Sequence, residues 1–279
     1  METFRALQLT QLQILKELDH ICKKNSITYY LAWGSLLGAV RHQGFIPWDD
    51  DIDVCMSIED MFRFEKACKR DLGEEFYYLS RTQNKYNYIF WHRIGLKGTT
   101  CNEREFLDLP ADNGICIDIF PLFSLPDDQT QWPAYNQLMK RYQLLSEKYL
   151  HVHTIKRESS LVGKCKKMVH ALLPDWTNRY YSQKILSKLI ARQGKSKAYF
   201  ADYSDGQPPT VLSGEIFRET VQLPFEGMSF PAPIGYDEYL KAVYGEYMSP
   251  PPLTDRANHC ERANVVLDFH KPYREFWAK

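Results

Sequence analysis

The sequence lacks several features that would place it in a specialised class of protein. Its seven cysteines are odd in number and include no Cys-x-x-Cys pair, which argues against a disulfide framework and a zinc site of the usual spacing. Basic and acidic residues each total 35, so the net charge is zero. The basic excess of a dedicated nucleic-acid-binding protein is missing, and we expect no nucleic-acid partner.

Long apolar segments are also missing. No uncharged run reaches the roughly 20 residues that span a bilayer, and the first 18 residues lack the apolar run of a signal peptide. We therefore expect a protein that is made and kept in the cytoplasm. The 279 residues, 44% hydrophobic and 25% charged, suit one large domain or a core domain with an insertion.

Hydrophobic periodicity predicts a mixed sheet covered by helices. An amphipathic helix is expected over residues 3–24, followed by a β-branched and aromatic strand over 27–32. Gly34-Ser35 breaks this strand. The next predicted elements are a short helix at 36–40, a strand at 49–56, a helix at 59–71 and strands at 77–80, 88–94 and 114–119. This order predicts an α/β or α+β fold.

The middle of the chain differs in charge from the rest. Residues 127–197 hold 14 Lys/Arg against 5 Asp/Glu, in a helical pattern broken by Pro133 and Pro174. We expect three parts: a core over 1–125, a basic helical subdomain over 126–204, and a C-terminal segment over 205–279 that packs back on the core.

One helix of this basic part is amphipathic. An apolar stripe at helical spacing has basic residues along its sides; the stripe is Val162, Cys165, Val169 and Leu172, and the basic residues are Lys164, Lys166 and Lys167. Two interpretations stay open. The helix either binds an anionic membrane surface or packs on the core.

The densest chemical signal is the segment WGSLLGAVRHQGFIPWDDDIDV, residues 33–54. On a strand, Asp51 and Asp53 would point to the same side, with Cβ atoms about 7 Å apart. Two such carboxylates stay ionised together most easily with a cation between them, and oxygen ligands favour Mg²⁺. The segment therefore predicts a metal site.

A third carboxylate fits the same site. Asp118 is isolated within the apolar run Gly114–Phe120, where a charge needs a partner or a metal. If its strand neighbours the Asp51 strand, three aspartates converge. The alternative is a structural carboxylate paired with Arg93 or Arg104.

The acidic run allows two other interpretations. Asp49 and Asp50 could belong to a solvated turn. Asp49, Asp51 and Asp53 match positions 1, 3 and 5 of a calcium-binding loop. That loop is excluded because Val54 stands where glycine is required and Asp60 stands where glutamate is expected.

Phosphate ligands are predicted beside the acids. Gly34 lets the backbone approach a phosphate, Ser35 adds a hydroxyl, and the start of the following helix offers N–H groups to an anion. Arg41 and Arg93 carry planar donor forks that could hold a diphosphate, or Arg41 could simply lie on the surface. His259 could reach the site from the C-terminal region. His151 and His153 could bind a metal, although an exposed turn is favoured.

Aromatic residues surround this segment. Trp33, Trp48 and Trp91 could hold a quaternary ammonium over their faces. Ordinary packing is the alternative for each ring. Other rings that could join such a cage are Tyr29, Tyr30, Tyr86 and Tyr88.

A strand, a Gly-Ser that opens a helix, an Asp-Ile-Asp on the next strand and an isolated Asp on a third resemble the polymerase-β-like nucleotidyltransferase superfamily. Fifteen residues separate Ser35 from Asp51, slightly more than is usual there, and the extra length contains HQGFIPW. This stretch resembles the LicD family, which includes bacterial phosphocholine transferases and is related to fukutin-type ribitol-phosphate transferases. Later segments agree with the resemblance: Lys97–Thr100, Ile117–Pro121, Phe225–Gly227, Tyr239-Leu240 and Tyr244-Gly245.

The resemblance implies a polymerase-β-like core with a mixed sheet and a helical insertion. It also implies transfer of phosphocholine from CDP-choline to a sugar hydroxyl of a lipid-linked cell-envelope glycan precursor, such as a teichoic acid, with CMP leaving. Asp51, Asp53 and Asp118 would hold Mg²⁺ or Mn²⁺, with two ions expected, and Asp118 would take the hydroxyl proton. Alternatives are transfer of ribitol phosphate or a nucleotide by the same fold, or a non-catalytic nucleotide-binding scaffold. The enzyme would work in the cytoplasm or at the inner face of the membrane.

Overall fold

The computed structural model describes most of the chain. The described residues are 2–80, 84, 87, 89–107, 112–146, 160–172, 174–204, 208–252, 254, 256 and 264–276.

Seven α-helices lie within these ranges. They are α1 (Glu2–Lys24), α2 (Trp33–His42), α3 (Ile58–Asp71), α4 (Trp132–Ser146), α5 (Leu161–Leu172), α6 (Asp175–Ala191) and α7 (Tyr236–Tyr244).

Eleven β-strands accompany the helices in the described ranges. They are β1 (Tyr30–Leu31), β2 (Asp53–Ser57), β3 (Phe76–Leu79), β4 (His92–Leu96), β5 (Thr100–Glu103), β6 (Cys116–Ser124), β7 (Tyr199–Asp202), β8 (Thr210–Ser213), β9 (Thr220–Phe225), β10 (Met228–Pro233) and β11 (Val265–Asp268).

The central sheet has the strand order β1-β2-β6-β4-β3, and β7 and β8 extend it from the far end of β6. Strands β2 and β6 pair in parallel, whereas the other pairs are antiparallel. The sheet is therefore mixed, and the predicted α+β architecture is confirmed. Strands β9 and β10 form a separate hairpin, and β11 pairs with β5.

Helix α1 confirms the helix predicted over residues 3–24. Leu7, Ile14, Leu18 and Ile21 lie on one face and are completely buried, because this spacing places them side by side on a helix. The helix packs against α3 and against strands β4 and β6. It therefore covers one face of the sheet at β6, which carries Asp118, and at β4, which carries Arg93.

Several predicted boundaries are wrong in an informative way. The strand predicted over 27–32 contains only Tyr30 and Leu31, and β2 begins at Asp53 rather than at Asp49. Asp51 therefore precedes the strand, and the argument from alternating strand faces does not apply to it. The strand ends at Leu31, before Gly34, whereas the prediction that Gly34 and Ser35 open a helix is confirmed, because both lie in the first turn of α2.

The described residues of the basic middle are mostly helical, as predicted. Pro133 lies at the second residue of α4 and Pro174 directly precedes α6, so both prolines open helices, where a missing backbone N–H costs little. Helices α4 and α6 pack against each other. Within the described residues, no helix is both long enough and apolar enough to cross a membrane. The three-part division of the chain stays a prediction.

Candidate active site

Two of the predicted acids lie side by side on neighbouring strands of the central sheet. Strands β2 and β6 are in parallel register with Asp53 beside Asp118, and the next strand places Arg93 opposite Asp118. Neighbouring residues in register share one face of a sheet. The Nε atom of Arg93 donates a hydrogen bond to Oδ1 of Asp118 over 2.6 Å. The ion pair weighed at the sequence level is therefore present with Arg93.

Arg93 was also a candidate phosphate ligand. Its guanidinium is engaged by Asp118, and the two side chains are 19% and 21% exposed. In this geometry, the positive charge of Arg93 neutralises the carboxylate of Asp118 within a crowded acidic region. Contact with a phosphate stays a prediction.

Ser35 has a structural contact at the start of α2. Its hydroxyl accepts a hydrogen bond from the backbone N–H of Asp53 over 2.9 Å, and the residue is 3% exposed. The bond ties the first turn of α2 to the first residue of β2. The structure therefore gives Ser35 a role in placing Asp53, and its predicted contact with a phosphate stays a prediction.

Helix α1 holds the backbone of the acidic loop that precedes β2. The Nε2 atom of Gln8 donates to the carbonyl oxygen of Asp49, and that of Gln11 donates to the carbonyl oxygen of Asp50, each over 2.9 Å. Both glutamines are nearly fully buried, at 4% and 3% exposure. Sequence analysis missed them, although two glutamines three residues apart on the buried face of a helix are a signal, since buried amides need partners.

Asp49 approaches α2 very closely. A Cβ atom placed on Gly34 would lie 2.5 Å from Oδ2 of Asp49. Gly34 was predicted as a residue that admits a phosphate. In the structure, the absence of a side chain at Gly34 makes room for the Asp49 carboxylate.

The acids strongly perturb one another. Burial and the charge of Asp51, together with a hydrogen bond shared with Asp51, raise the pKa of Asp49 to about 8. Burial also raises the pKa of Asp53 well above its ordinary value, and the charges of Asp51 and Asp118 add to this effect. Without a compensating cation, this arrangement favours protonated carboxyl groups.

The acids open onto a cleft of about 290 Å³. It combines carboxylates with aromatic rings. Its lining residues are Trp33, Gly34, Asp49, Asp51, Asp53, Phe120, Ser204 and Tyr244.

Trp33 is the predicted tryptophan that lines this cleft. It has a φ of 45°, a backbone conformation that bulky residues rarely adopt, at the junction of β1 and α2. Its ring meets that of Tyr244 edge-on, with centroids 6.4 Å apart. Burial raises the pKa of Tyr244, and the charges of Asp53, Asp49 and Asp51 raise it further, which places the phenol beside the acids.

The other two tryptophans lie outside the cleft wall. The guanidinium carbon of Arg256 lies 4.7 Å from the centre of the Trp48 ring, so this ring already carries a cation from the protein. Trp91 packs behind the cleft against Phe120, with ring centroids 5.3 Å apart. Neither Trp48 nor Trp91 lines the cleft, which does not favour a direct contact with choline. Such a contact stays a prediction.

Arg41 lies near the acids but is partly engaged. Its Nη1 donates to the carbonyl oxygen of Tyr247 over 2.6 Å. Burial lowers the pKa of its guanidinium and the charge of Arg256 lowers it further, while Tyr244 and Asp49 act in the opposite direction. Arg41 therefore stands between the acids and the C-terminal part of the chain, with its predicted contact to a phosphate untested.

Other predicted residues separate from the site. Tyr29 donates to Oδ1 of Asp19, and Tyr30 donates to the carbonyl oxygen of Phe217. These rings are packing residues of the core, as the alternative interpretation held. The side chains of five further candidates lie outside the described residues: Tyr86, Tyr88, His151, His153 and His259.

Sequence analysis missed a contribution from β7. Asp202 ends this strand, is 2% exposed, and adds its negative charge to the field that raises the pKa of Asp53. Its Oδ1 accepts hydrogen bonds from the backbone and hydroxyl of Ser204, which lines the cleft. The Asp-Tyr-Ser sequence carries no metal-ligand spacing, and only the pairing of β7 with β6 brings it to the site.

The donor set fits a hard divalent cation. Carboxylate oxygens of Asp49, Asp50 and Asp51 lie within 4.8 Å of one another, and Asp53 shares the cleft with two of these residues. Crowded carboxylates with raised pKa values gain from a positive charge between them. Asp118 does not line the cleft but lies beside Asp53 on the neighbouring strand, so its predicted role as a metal ligand stays a prediction.

The structure places Asp53 beside Asp118 on a parallel strand pair, next to a helix that begins at a cleft. This is the arrangement of strands and helix that the resemblance to a nucleotidyltransferase core predicted. Residues 26–158 match the LicD/FKTN/FKRP nucleotidyltransferase domain, which confirms the predicted resemblance to the LicD family over this part of the chain.

Known proteins support this assignment. The chain is 26% identical over 275 residues to the lipopolysaccharide cholinephosphotransferase LicD of Haemophilus influenzae, covering 95% of this chain and 98% of that protein. It is 29% identical over 105 residues to the mouse ribitol 5-phosphate transferase FKRP, covering 30% and 21%. An uncharacterised Rickettsia typhi protein, RT0683, is 45% identical over 143 residues, covering 50% and 37%. The relatives with assigned activities are transferases of phosphate-linked groups.

Proposed function

We propose that this protein transfers phosphocholine from CDP-choline to a sugar hydroxyl of a lipid-linked cell-envelope glycan precursor, such as a teichoic acid, with release of CMP. The bond between the phosphocholine phosphorus and the bridging diphosphate oxygen breaks, and CMP leaves with that oxygen. The acceptor oxygen forms a new bond to the same phosphorus. The similarity to a cholinephosphotransferase over 95% of the chain supports the choice of transferred group.

One observation carries the proposal: a single cleft unites acids with aromatic rings. Asp49, Asp51 and Asp53 lie with Trp33, Phe120 and Tyr244 around the same space. A donor with a cationic head and a diphosphate requires both kinds of surface. Aromatic faces attract a quaternary ammonium, whereas a diphosphate next to carboxylates needs an intervening cation.

Asp51 and Asp53, joined by Asp49, would hold the cation, which we propose to be Mg²⁺ or Mn²⁺, with two ions in the full site. When bound, the metal would neutralise the diphosphate and stabilise charge as the hydroxyl attacks. The sequence leaves open a role for Asp49 in a solvated turn. Its raised pKa and its position in the cleft wall support a role as a metal ligand.

The remaining residues bind and orient the reactants. The first turn of α2 lies at the cleft, and Ala32 supplies no capping side chain, so the helix start favours a phosphate. Asp118 is our proposed acceptor of the hydroxyl proton, with its orientation fixed by Arg93. Gln8 and Gln11 hold the backbone of the acidic loop in place.

The test is a donor panel with purified protein and Mg²⁺. CDP-choline, CDP-ribitol, CTP and ATP are incubated separately, and CMP and pyrophosphate are measured. We expect CMP from CDP-choline, with a rate that rises when a glycan acceptor is added. Asp53→Asn serves as the inactive control, and Asp60→Asn, on α3, serves as a matched carboxylate control that keeps its activity.

Each other outcome selects a different function. CMP from CDP-ribitol alone would replace the transferred group by ribitol phosphate. Pyrophosphate from CTP or ATP would indicate a nucleotidyltransferase. Binding of nucleotides without turnover of any donor would favour the non-catalytic scaffold.

A further inference from the structure

The described part of the basic middle exposes an unusual amount of apolar surface. Leu161 is 81% exposed, Leu172 is 76% exposed and Trp176 is 72% exposed. Met168, Tyr180 and Tyr181 are each more than half exposed. Scattered apolar residues are common on protein surfaces, but six large ones within 21 consecutive positions indicate an interaction surface.

The apolar stripe of α5 faces outward. Three residues of the predicted stripe, Val162, Cys165 and Leu172, are exposed, and the side chain of the fourth, Val169, lies outside the described residues. Leu161 and Met168 are exposed on the same side of the helix. The sequence left open whether this helix packs its stripe on the core. The exposure of these residues argues against such packing.

Helix α6 adds aromatic and basic residues. Trp176, Tyr180 and Lys184 are four residues apart on its exposed side, and the ammonium of Lys184 lies 5.7 Å from the centre of the Tyr180 ring. The opposite side of α6 is buried through Asn178, Ser182 and Leu189. We call the exposed residues the basic aromatic face: Leu161, Lys164, Met168, Leu172, Trp176, Arg179, Tyr180, Lys184 and Lys188.

Charge identifies the partner. Residues 161–192 contain seven Lys/Arg against one acidic residue, whereas the whole chain is neutral. Apolar residues flanked by lysines, with Trp and Tyr beside them, match the chemistry of an anionic bilayer surface, where rings sit at headgroup level and basic side chains meet lipid phosphates.

We propose that the basic aromatic face docks the protein reversibly onto an anionic lipid bilayer. This surface lies outside the cleft, so the proposal is independent of the transferred group. If the proposed function holds, docking would keep the protein at the surface in which a lipid-linked acceptor diffuses.

The test is sedimentation of the full chain with vesicles of phosphatidylcholine alone or with 30% phosphatidylglycerol, in low and high salt. We expect binding to the anionic vesicles in low salt and a fall of about tenfold or more in high salt. Lys164→Gln/Lys184→Gln/Lys188→Gln should lower binding by a similar factor. A matched variant, Lys16→Gln/Lys66→Gln/Lys69→Gln, removes three exposed lysines elsewhere and should bind like the wild type.

A second variant tests the apolar component. Trp176→Ser/Tyr180→Ser should weaken the binding that persists in high salt. Equal sedimentation of both lysine variants would overturn the proposal, as would a protein that stays in the supernatant at low salt. If the Ser variant instead converts a dimer into a monomer and leaves vesicle binding unchanged, the face is an interface between two copies. Turnover of CDP-choline with a water-soluble acceptor should be equal in the wild type and all three variants, which separates failure of docking from failure of the proposed reaction.

Discussion

The hydroxyl of Ser35 accepts a hydrogen bond from the backbone N–H of Asp53, which joins the first turn of α2 to the first residue of β2. This hydrogen bond connects the Gly-Ser segment to the Asp-Ile-Asp segment. It gives the Ser35 hydroxyl a structural contact that does not depend on a bound ligand.

Ser35→Ala tests whether this contact is structural. The substitution leaves the N–H of Asp53 without its partner, and such a loss in a buried position costs about 1–3 kcal/mol of unfolding free energy. Urea unfolding measures it. Ser57→Ala is the control, because Ser57 caps α3 by accepting from the N–H of Asp60, so it should lower stability while leaving turnover intact. Unchanged stability with a raised KM for the donor would instead identify Ser35 as a phosphate ligand.

Gly34→Ala should reduce activity without unfolding the protein. Alanine is favoured over glycine in a helix by up to about 1 kcal/mol, and the new Cβ displaces the end of the Asp49 side chain rather than backbone. We therefore expect equal or higher stability together with lower turnover, measured on the same preparation.

Gly38→Ala in the same helix provides the contrast. A Cβ atom there would lie 2.4 Å from the carbonyl oxygen of Gly44, so backbone must move and stability should fall. Full activity of Gly34→Ala would show that the position of Asp49 is unimportant.

The raised pKa of Asp49 predicts that, in the absence of divalent cations, the stability of the protein depends on pH. Its pKa rises from 3.8 in the unfolded chain to about 8 in the fold, because burial and Asp51 disfavour the charged form. Its contribution to stability is thus fully present below about pH 4 and is lost as the pH rises through about 8.

With EDTA present, the unfolding free energy of the wild type should therefore fall more between pH 5 and 8.5 than that of Asp49→Asn. Asp128→Asn is the control, since the pKa of this surface carboxyl is lowered by hydrogen bonds from Thr130 and the group stays ionised across this range. Parallel pH profiles for wild type and Asp49→Asn would contradict the shifted titration.

Asp53→Asn should abolish the response to Mg²⁺. The substitution removes a crowded charge with almost no change in volume, so the protein without metal should be as stable as the wild type or more stable. A cation at 100 times its dissociation constant stabilises a fold by about 2.7 kcal/mol. We expect Mg²⁺ to raise the melting temperature of the wild type and of Asp237→Asn, a carboxylate variant on α7, but not that of Asp53→Asn. An equal rise in all three proteins would remove Asp53 from the metal site.

Trp33→Leu should reduce the preference for CDP-choline over CDP-ethanolamine. A cation held over aromatic faces in a desolvated site gains about 1–2 kcal/mol, which corresponds to roughly a tenfold to thirtyfold preference. Trp48→Leu is the matched control, because that ring carries Arg256 and does not line the cleft. The ratio of kcat/KM for the two donors decides the matter. A ratio that changes only in Trp48→Leu would place the choline group elsewhere.

The sequence by itself predicted the α+β class, helix α1, and the closeness of Asp51 and Asp53, which line one cleft. The catalytic and metal-binding roles of these two acids stay predictions. The structural predictions rest on local signals, namely the spacing of apolar residues along a helix and the density of carboxylates within a short segment. The resemblance to the LicD family was also visible in the sequence, because its densest motif is the contiguous segment 33–54. Strand boundaries were less accurate, since two residues suffice for β1 and pairing, not composition, decides where β2 begins.

Only the tertiary structure decided which distant residues meet. Sequence spacing does not fix strand order, so the register of Asp53 with Asp118 and the pairing of Asp118 with Arg93 depend on how β2, β6 and β4 assemble. The same holds for Gln11 beneath Asp50, for Tyr244 in the cleft wall, and for Asp202, whose charge acts on Asp53. The physical reason is that burial, hydrogen bonding and electrostatic repulsion act through space, between residues that can be more than a hundred positions apart in the chain.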